Sequence, residues 1–482
     1  MMRKLKTISL SLLLTFLLSA SIWAFDFGGS VSAAADYSPA GTFVNEEALG
    51  LWMATGKAGG LSFETKLDLI ASPTGPAFYI NPDYLKLDGL FTGLESGPSV
   101  MGMTIGRFSA SDFSARILNQ KIDGFSFSFS YPAFELSVTA GYTGFFFNET
   151  GSLLTSSPST IMSKTDLSDR GNSTDLFGYL TNPAEKSKVL FQSPRMVEVV
   201  TFSLPQLLFK QSLTLSLVAQ EDMRPLFDLW GTYGSTDAAP YTPVLLKEGE
   251  GTFDPQKGGA VDTQYLGLGI SGPSIDSLYH NVFYYFGTGR AMSYKTSTSS
   301  STGKAYSYDM IISHLAGVSL DYYMEWLFNS RVGLTVLFAT GDSDASSYYE
   351  GNTAGSYDQF LPITNGGGGI IFSPGVSNIL SANINLSAKP LEWLPIPLLA
   401  DTQFVLNAIP FFRVVNGPLY VSGIKQDFTG NYLGSEIDLT VNMRLFSDLG
   451  IITQLGYFVP NAEAFTKADP VFMAKINVSL SF

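Results

Sequence analysis

The last twelve residues, Val471–Phe482, read V-F-M-A-K-I-N-V-S-L-S-F. In an extended chain Phe472, Ala474, Ile476, Val478, Leu480 and Phe482 fall on one side. Met473, Lys475, Asn477, Ser479 and Ser481 fall on the other. A period of two marks a strand with one apolar and one polar face. The chain stops on the aromatic residue, with no polar tail after it.

The opposite end has the three parts of a secretory leader. Arg3, Lys4 and Lys6 form the basic start, Ile8–Leu18 the apolar core, and Ser19–Ala24 leads to a cut before Phe25, with Ala20 as the alternative site. The apolar run is too short to span a bilayer as a helix. A leader at one end and a two-faced strand ending in Phe at the other resemble the ends of bacterial outer-membrane β-barrels.

Composition agrees. Charged residues make up 15% of the chain, aromatics 13%, and there are 47 glycines and no cysteine. Past the leader no run of about 18 apolar residues occurs, so a membrane helix is not expected. Low charge and dispersed apolar residues suit a barrel whose lipid-facing residues take every second position. The 28 basic and 42 acidic residues become 25 and 42 once Met1–Ala24 is removed, a net of −17. That argues against a nucleic-acid partner.

The first strand, Phe25–Ala35, starts directly after the leader, which leaves no room for a plug domain. Residues 25–482 are therefore expected to form one barrel domain. Glu47–Thr55 returns. Leu61–Ala71 places Leu61, Phe63, Thr65, Leu67 and Leu69 on a lipid face and Ser62, Glu64, Lys66 and Asp68 on a lumen face. Tyr84–Leu94 is the weakest strand pattern. Ser99–Phe108 precedes a polar stretch, Ser109–Lys121, and then Ile122–Tyr131 alternates Phe with Ser before Phe134–Phe145. After a long polar segment, Asn148–Pro194, come Arg195–Leu204 and Gln211–Asp222. A second such segment, Met223–Ala260, precedes Val261–Ser271, Leu278–Gly287, Ala305–Tyr323 and Asn329–Thr340. Beyond Gly341–Gly375 lie Val376–Ala388, Asp401–Val414, Tyr432–Phe446, Leu449–Val459 and the terminal strand.

Long and short links alternate, as in barrels with long outer loops and short periplasmic turns. Seventeen strands without Tyr84–Leu94 become eighteen with it. A closed antiparallel barrel with both ends in the periplasm needs an even number, so parity favours 18, with 16 as the alternative. Trp326 and Trp393 fall at short links, where an interfacial aromatic belt is expected.

Gly434–Ala462 carries G-S-E-I-D-L, a short turn, and a strand ending Phe458-Val459-Pro460. This hairpin resembles the alginate-export-like family of outer-membrane porins, in which a G-x-E-x-D-L strand precedes a strand closing on an aromatic-x-P element. Gly106-Arg107 followed by Asp123-Gly124 is a second echo. The resemblance implies an 18-stranded barrel. It does not carry the acidic substrate across. The lumen-lining candidates Glu64, Lys66, Asp68, Glu436, Asp438, Arg444 and Lys475 are of mixed sign rather than basic. Glu436 and Asp438, two apart on one strand face, are expected to line the pore with Arg444 as a neighbour.

Other motifs carry no chemistry. His280 and His314 are the only histidines; a Ser/His or Asp/His arrangement needs at least one well placed, and both are expected instead as strand-borne residues at a water-filled wall. Gly267–Gly272 matches G-x-G-x-x-G but runs into Pro273 with no helix to follow. Gly366–Gly369 reads as a flexible stretch. Asp342, Asp344 and Glu350 are a fragment of a calcium loop, short of its glycine and third acid. No enzyme activity, cofactor or metal is expected.

The expectation is an outer-membrane channel for passive diffusion of small hydrophilic solutes or ions, weakly cation-preferring. The alternative is a surface anchor whose long loops serve adhesion or antigenic display. Expected partners are outer-membrane lipid, small solutes, and the barrel-assembly machinery acting on the strand that ends at Phe482. The strand patterns lean toward a monomer.

Overall fold

The computed structural model describes residues 25–37, 43–55, 61–71, 79–92, 99–143, 195–208, 210–223, 248–252, 260–298, 301–345, 355–364, 366–421, 423–425 and 427–482. The leader, most of the two long polar segments and Glu350 lie outside them.

The alternating pattern folds into eighteen strands. β1 is Phe25–Tyr37, β2 Phe43–Thr55, β3 Leu61–Ala71, β4 Tyr79–Thr92, β5 Val100–Ser111 and β6 Asn119–Tyr131. β7 is Phe134–Tyr142, β8 Arg195–Leu208, β9 Gln211–Asp222, β10 Asp262–Ile275, β11 Leu278–Thr296 and β12 Lys304–Met324. β13 is Ser330–Ala339, β14 Ile379–Ala388, β15 Gln403–Arg413, β16 Tyr432–Arg444, β17 Leu449–Pro460 and β18 Val471–Ser481. A one-turn helix, α1, occupies Pro397–Ala400.

Each strand pairs antiparallel with its sequence neighbours, and β1 pairs with β18 from Ser30↔Ser481 to Tyr37↔Ala474, which closes the ring. Closure leaves no unpaired sheet edge. Of the weakest pattern, Tyr84–Leu94, residues 84–92 belong to β4 and the last two lie outside the described residues; the count of eighteen excludes the sixteen-stranded alternative.

One face of the wall is apolar and exposed, the other polar. Leu67 and Leu69 stand outside on β3, Leu266, Leu268 and Ile270 on β10, and Ile437 on β16. Their neighbours Glu64, Lys66, Thr263, Glu436 and Asp438 face inward. This is the arrangement of a transmembrane barrel. Short turns such as 132–133 and 276–277 share one end with the C-terminus, which is the periplasmic end by the threading argument. Trp326 and Trp393 stand 80% and 70% exposed on two links at that end, where a bilayer interface accommodates them.

The buried core lies inside the mouth of this ring, built from two segments that fold into the lumen. The first is the distal β5–β6 hairpin. β4 pairs with β5 only as far as Leu85↔Arg107, and β6 pairs with β7 only as far as Asp123↔Tyr142, yet the hairpin continues to Ser111 and Asn119. It leaves the wall at the facing pair Gly106↔Gly124. Its tip reaches Tyr285 and Gly269 on the inner wall of β11 and β10. The polar stretch Ser109–Lys121 thus holds Ile117 and Leu118, both fully buried. The second segment is the β13–β14 connection, which buries Phe360, Leu361, Ile363, Phe372 and Val376. The two segments meet where Thr364 N–H donates to the Ile117 carbonyl (2.8 Å) and Asn119 N–H to Thr364 Oγ1 (3.1 Å).

Candidate solute pathway

Neutral polar side chains that pair across strands line part of the lumen wall, with the Arg331–Asp321 ion pair (2.8 Å) nearer the periplasmic turn. Ser126 meets Thr139 at 2.8 Å, Ser203 meets Thr214 at 3.1 Å, Ser319 meets Thr335 at 3.1 Å, and Asn385 donates to Asn407 at 2.8 Å. Such cross-strand pairs leave room at the axis, because at 18 strands side chains no longer fill a barrel.

Charge concentrates on β3 to β6. Lys66 pairs with Asp68 at 3.2 Å and with Asp83 at 2.9 Å, and Lys121 pairs with the other oxygen of Asp83. Lys86 bridges Glu64 at 3.0 Å and Asp88 at 2.9 Å, while Thr104 donates to Asp88 at 2.6 Å. Arg107 grips Asp123 with two bonds of 3.0 and 2.8 Å at the root of the inward hairpin. Five acids (Glu64, Asp68, Asp83, Asp88, Asp123) face four bases (Lys66, Lys86, Arg107, Lys121), a net of −1. Glu64, Lys66 and Asp68 were legible as lumen residues. Asp83, Lys86, Asp88, Lys121 and the Arg107–Asp123 pair were not assigned to the lumen. For Lys86 and Asp88 the alternation in Y-L-K-L-D was a usable signal.

Glu436 and Asp438 face inward from β16 but are only 0% and 3% exposed, because the segment 366–375 covers them. Glu436 accepts the N–H groups of Ile371 (2.7 Å) and Phe372 (2.8 Å), and Asp438 accepts that of Ile370 (3.3 Å). Among the described residues no Lys or Arg forms an ion pair with either. Arg444 is not their neighbour. It lies six residues beyond Asp438, about 20 Å along the strand by its rise, and donates to the Ser447 carbonyl at the periplasmic turn (2.7 Å). Lys475 lies on the lumen face of β18, opposite Gln454. The pair on β16 stands five strands from β3 round the ring, so the expected residues form no single cluster.

The narrowing is built by residues that pattern reading missed. Asp112, buried at the hairpin tip, accepts the N–H groups of Ser114, Ile117 and Leu118 at 2.8 to 2.9 Å and the Tyr285 hydroxyl at 2.8 Å. It fixes the turn that presents Arg116. The Arg116 guanidinium borders a cavity of about 90 Å³ together with Thr335, Ser381, Asn383, Ile409, Phe411 and the 367–376 segment. Among the described residues no carboxylate lies within ion-pair distance of it. Burial pushes its pKa down, against an opposing pull from Asp112. The glycines 366–369 are here held in place: Gly367 and Gly368 have φ of 114° and 147°, and a Cβ on Gly369 would sit 2.2 Å from the Glu436 carboxyl carbon.

Other singled-out residues fall outside the pathway. His314 contacts the Tyr284 hydroxyl on the outer wall (2.7 Å), and His280 contacts Ser274 (2.6 Å). Gly267–Gly272 is part of β10, and its Gly269 receives Phe113 of the hairpin tip on the inner wall. Asp342 accepts the N–H groups of Asp344 and Asp358, both at 3.1 Å, which makes it a loop anchor.

No protein-family model and no curated protein matches the chain. Solved structures do match it in fold. OccAB2 of Acinetobacter baumannii gives a TM-score of 0.53 at 11% identity, over 95% of this chain and 98% of that one. OpdK of Pseudomonas aeruginosa, solved with vanillate, gives 0.51 at 10% identity over 95% and 98%. OccK2 (OpdF) of Pseudomonas aeruginosa, solved with glucuronate, gives 0.50 at 11% identity over the same shares. The architecture is that of the 18-stranded outer-membrane porins of the OprD/Occ type.

Proposed function

We propose that this chain is an outer-membrane channel for small hydrophilic solutes, and that its narrowing favours solutes bearing a negative group. The observation that carries the reading is Arg116. It is a lumen cation without a carboxylate partner among the described residues, at the junction of the two inserted segments. A positive group held over the path in a partly desolvated site lowers the barrier for an anion and raises it for a cation. Two of the fold neighbours were solved with vanillate and with glucuronate, which both carry a carboxylate.

A second reading keeps the weak cation preference, and the five-to-four excess of acids on β3–β6 favours it. One experiment separates them. Single channels of the refolded protein are recorded in a planar bilayer under a salt gradient, and the reversal potential is read. Anion bias that Arg116→Ala reduces, by about 1 kcal/mol of barrier or roughly five-fold in permeability ratio, supports the first reading. Cation bias that Arg116→Ala leaves unchanged supports the second.

The resemblance of Gly434–Ala462 to the alginate-export-like porins is retained as a reading of that hairpin alone, on its acidic pair and its aromatic-x-P end. Assembly through the strand ending at Phe482 and a monomeric state also belong to this proposal. The first rests on the terminal aromatic, and the second on strand patterns in which no strand stands out as an apolar contact face.

A further inference from the structure

We infer that residues 366–375 form a separable plug, latched to the barrel wall by the carboxylates of Glu436 and Asp438. The inference rests on the channel reading and adds a moving part to it. Three consecutive backbone N–H groups, of Ile370, Ile371 and Phe372, point at these two carboxylates at 3.3, 2.7 and 2.8 Å. Successive N–H groups aimed at an anion are a recognised binding device. Here the anion belongs to the wall and the N–H groups to the insert.

The socket is shaped for this one occupant. Phe372 stacks on Phe458 with centroids 4.6 Å apart and planes at 5°, and meets Phe411 and Phe465 edge-on at 5.0 and 5.8 Å. Gly369 lets the backbone lie against Glu436, where any Cβ would collide with the carboxyl group. Asp438 Oδ1 remains buried without a hydrogen-bond partner. With no cation in ion-pair range among the described residues, the N–H groups of the insert are what offsets the burial of this acidic pair. Water can replace the N–H donors once the insert leaves, so these bonds add only a modest net free energy to docking. The same insert supplies Gly367, Gly368, Pro374 and Gly375 to the cavity beneath Arg116, so its release widens the narrowing.

The chain has no cysteine, which gives a clean test. An Ile371→Cys variant is labelled with a membrane-impermeant maleimide, with and without Glu436→Gln and Asp438→Asn. The expected result is slow labelling in the parent and fast labelling in the combined variant. In planar bilayers the Gln/Asn variant is expected to lose the low-conductance level. A Cβ on Gly456 would sit 3.0 Å from Ile371 Cγ1, so Ile371→Cys with Gly456→Cys allows a disulfide that holds the plug down. Oxidation is expected to restore the low level and reduction to release it. Equal labelling rates with and without the carboxylates overturn the latch, whatever the conductance. Faster labelling in a barrel that never conducts overturns the plug role together with the channel reading. Where the Gln/Asn variant does not form a heat-modifiable barrel, the cysteine pair in the parent decides. Current traces identical in the oxidised and reduced states then overturn the proposal.

Discussion

Single carboxylates fix most of what is special inside this barrel. Asp342 is 4% exposed at the start of the β13–β14 connection, and burial, reinforced by the adjacent Asp344, raises its pKa to about 6. A carboxyl group with a raised folded-state pKa binds its proton more tightly in the folded chain than in the unfolded one. Its protonated form therefore favours the folded connection. That contribution is complete below the ordinary pKa near 4 and is lost as pH rises through 6. Protease cleavage within 355–364 in the folded barrel is expected to quicken between pH 4 and 6.5, and Asp342→Asn is expected to flatten that dependence. A cleavage rate with the same pH slope in both proteins would refute the assignment.

At the scale of elements, the inward turn of the β5–β6 hairpin needs two glycines that face each other. Gly106 has φ of +122°, and a Cβ there would lie 2.1 Å from the Leu85 carbonyl oxygen; one on Gly124 would lie 2.0 Å from the Ala140 carbonyl oxygen. Side chains cannot be accommodated without moving the wall. Gly106→Ala is expected to cost about 1–3 kcal/mol, read as a lower temperature for loss of the heat-modifiable form. Unchanged thermal stability would mean that the hairpin turns inward by another route. The wall strands were legible in the sequence because a barrel wall demands only a period of two, as in the Phe/Ser alternation of Phe125–Ser130. The inserts were not, because their apolar residues come as doublets and triplets in polar surroundings: Ile117-Leu118, Phe360-Leu361, Ile370-Ile371-Phe372. Short apolar clusters within a long Gly/Ser/Asp-rich link are the signal that points to an insert. Periodicity cannot place them, since irregular backbone has no period. Lumen positions of Glu64, Lys66 and Asp68 followed from alternation alone, whereas the partner that joins Lys66 to Lys121, Asp83, sits at an irregular step in the β3–β4 register that alternation does not foresee.

For the whole molecule the decisive event is closure of the ring. The strand that first identified the fold also closes it. Phe482 N–H donates to the Gly29 carbonyl at 3.0 Å, Gly29 N–H donates back at 2.9 Å, and the Phe482 ring lies over Gly29, where a Cβ would come within 2.5 Å of it. Eight further register pairs join β1 to β18, so these two bonds are a minority of the seam. Removing Phe482 therefore leaves most of the seam, at a net cost of about 1–3 kcal/mol for two backbone hydrogen bonds. The purified chain lacking Phe482 is expected to refold in detergent to a heat-modifiable barrel with the parent's conductance, at slightly reduced thermal stability. If the terminal aromatic also serves recognition by the assembly machinery, as we propose, the same deletion lowers the amount of folded barrel in cells far more than its stability in detergent would explain. Equal losses in both settings would make Phe482 a seam residue alone. A Gly29→Val variant keeps the aromatic but crowds the ring above it, so it is expected to lower stability in detergent while leaving recognition of the terminal strand intact.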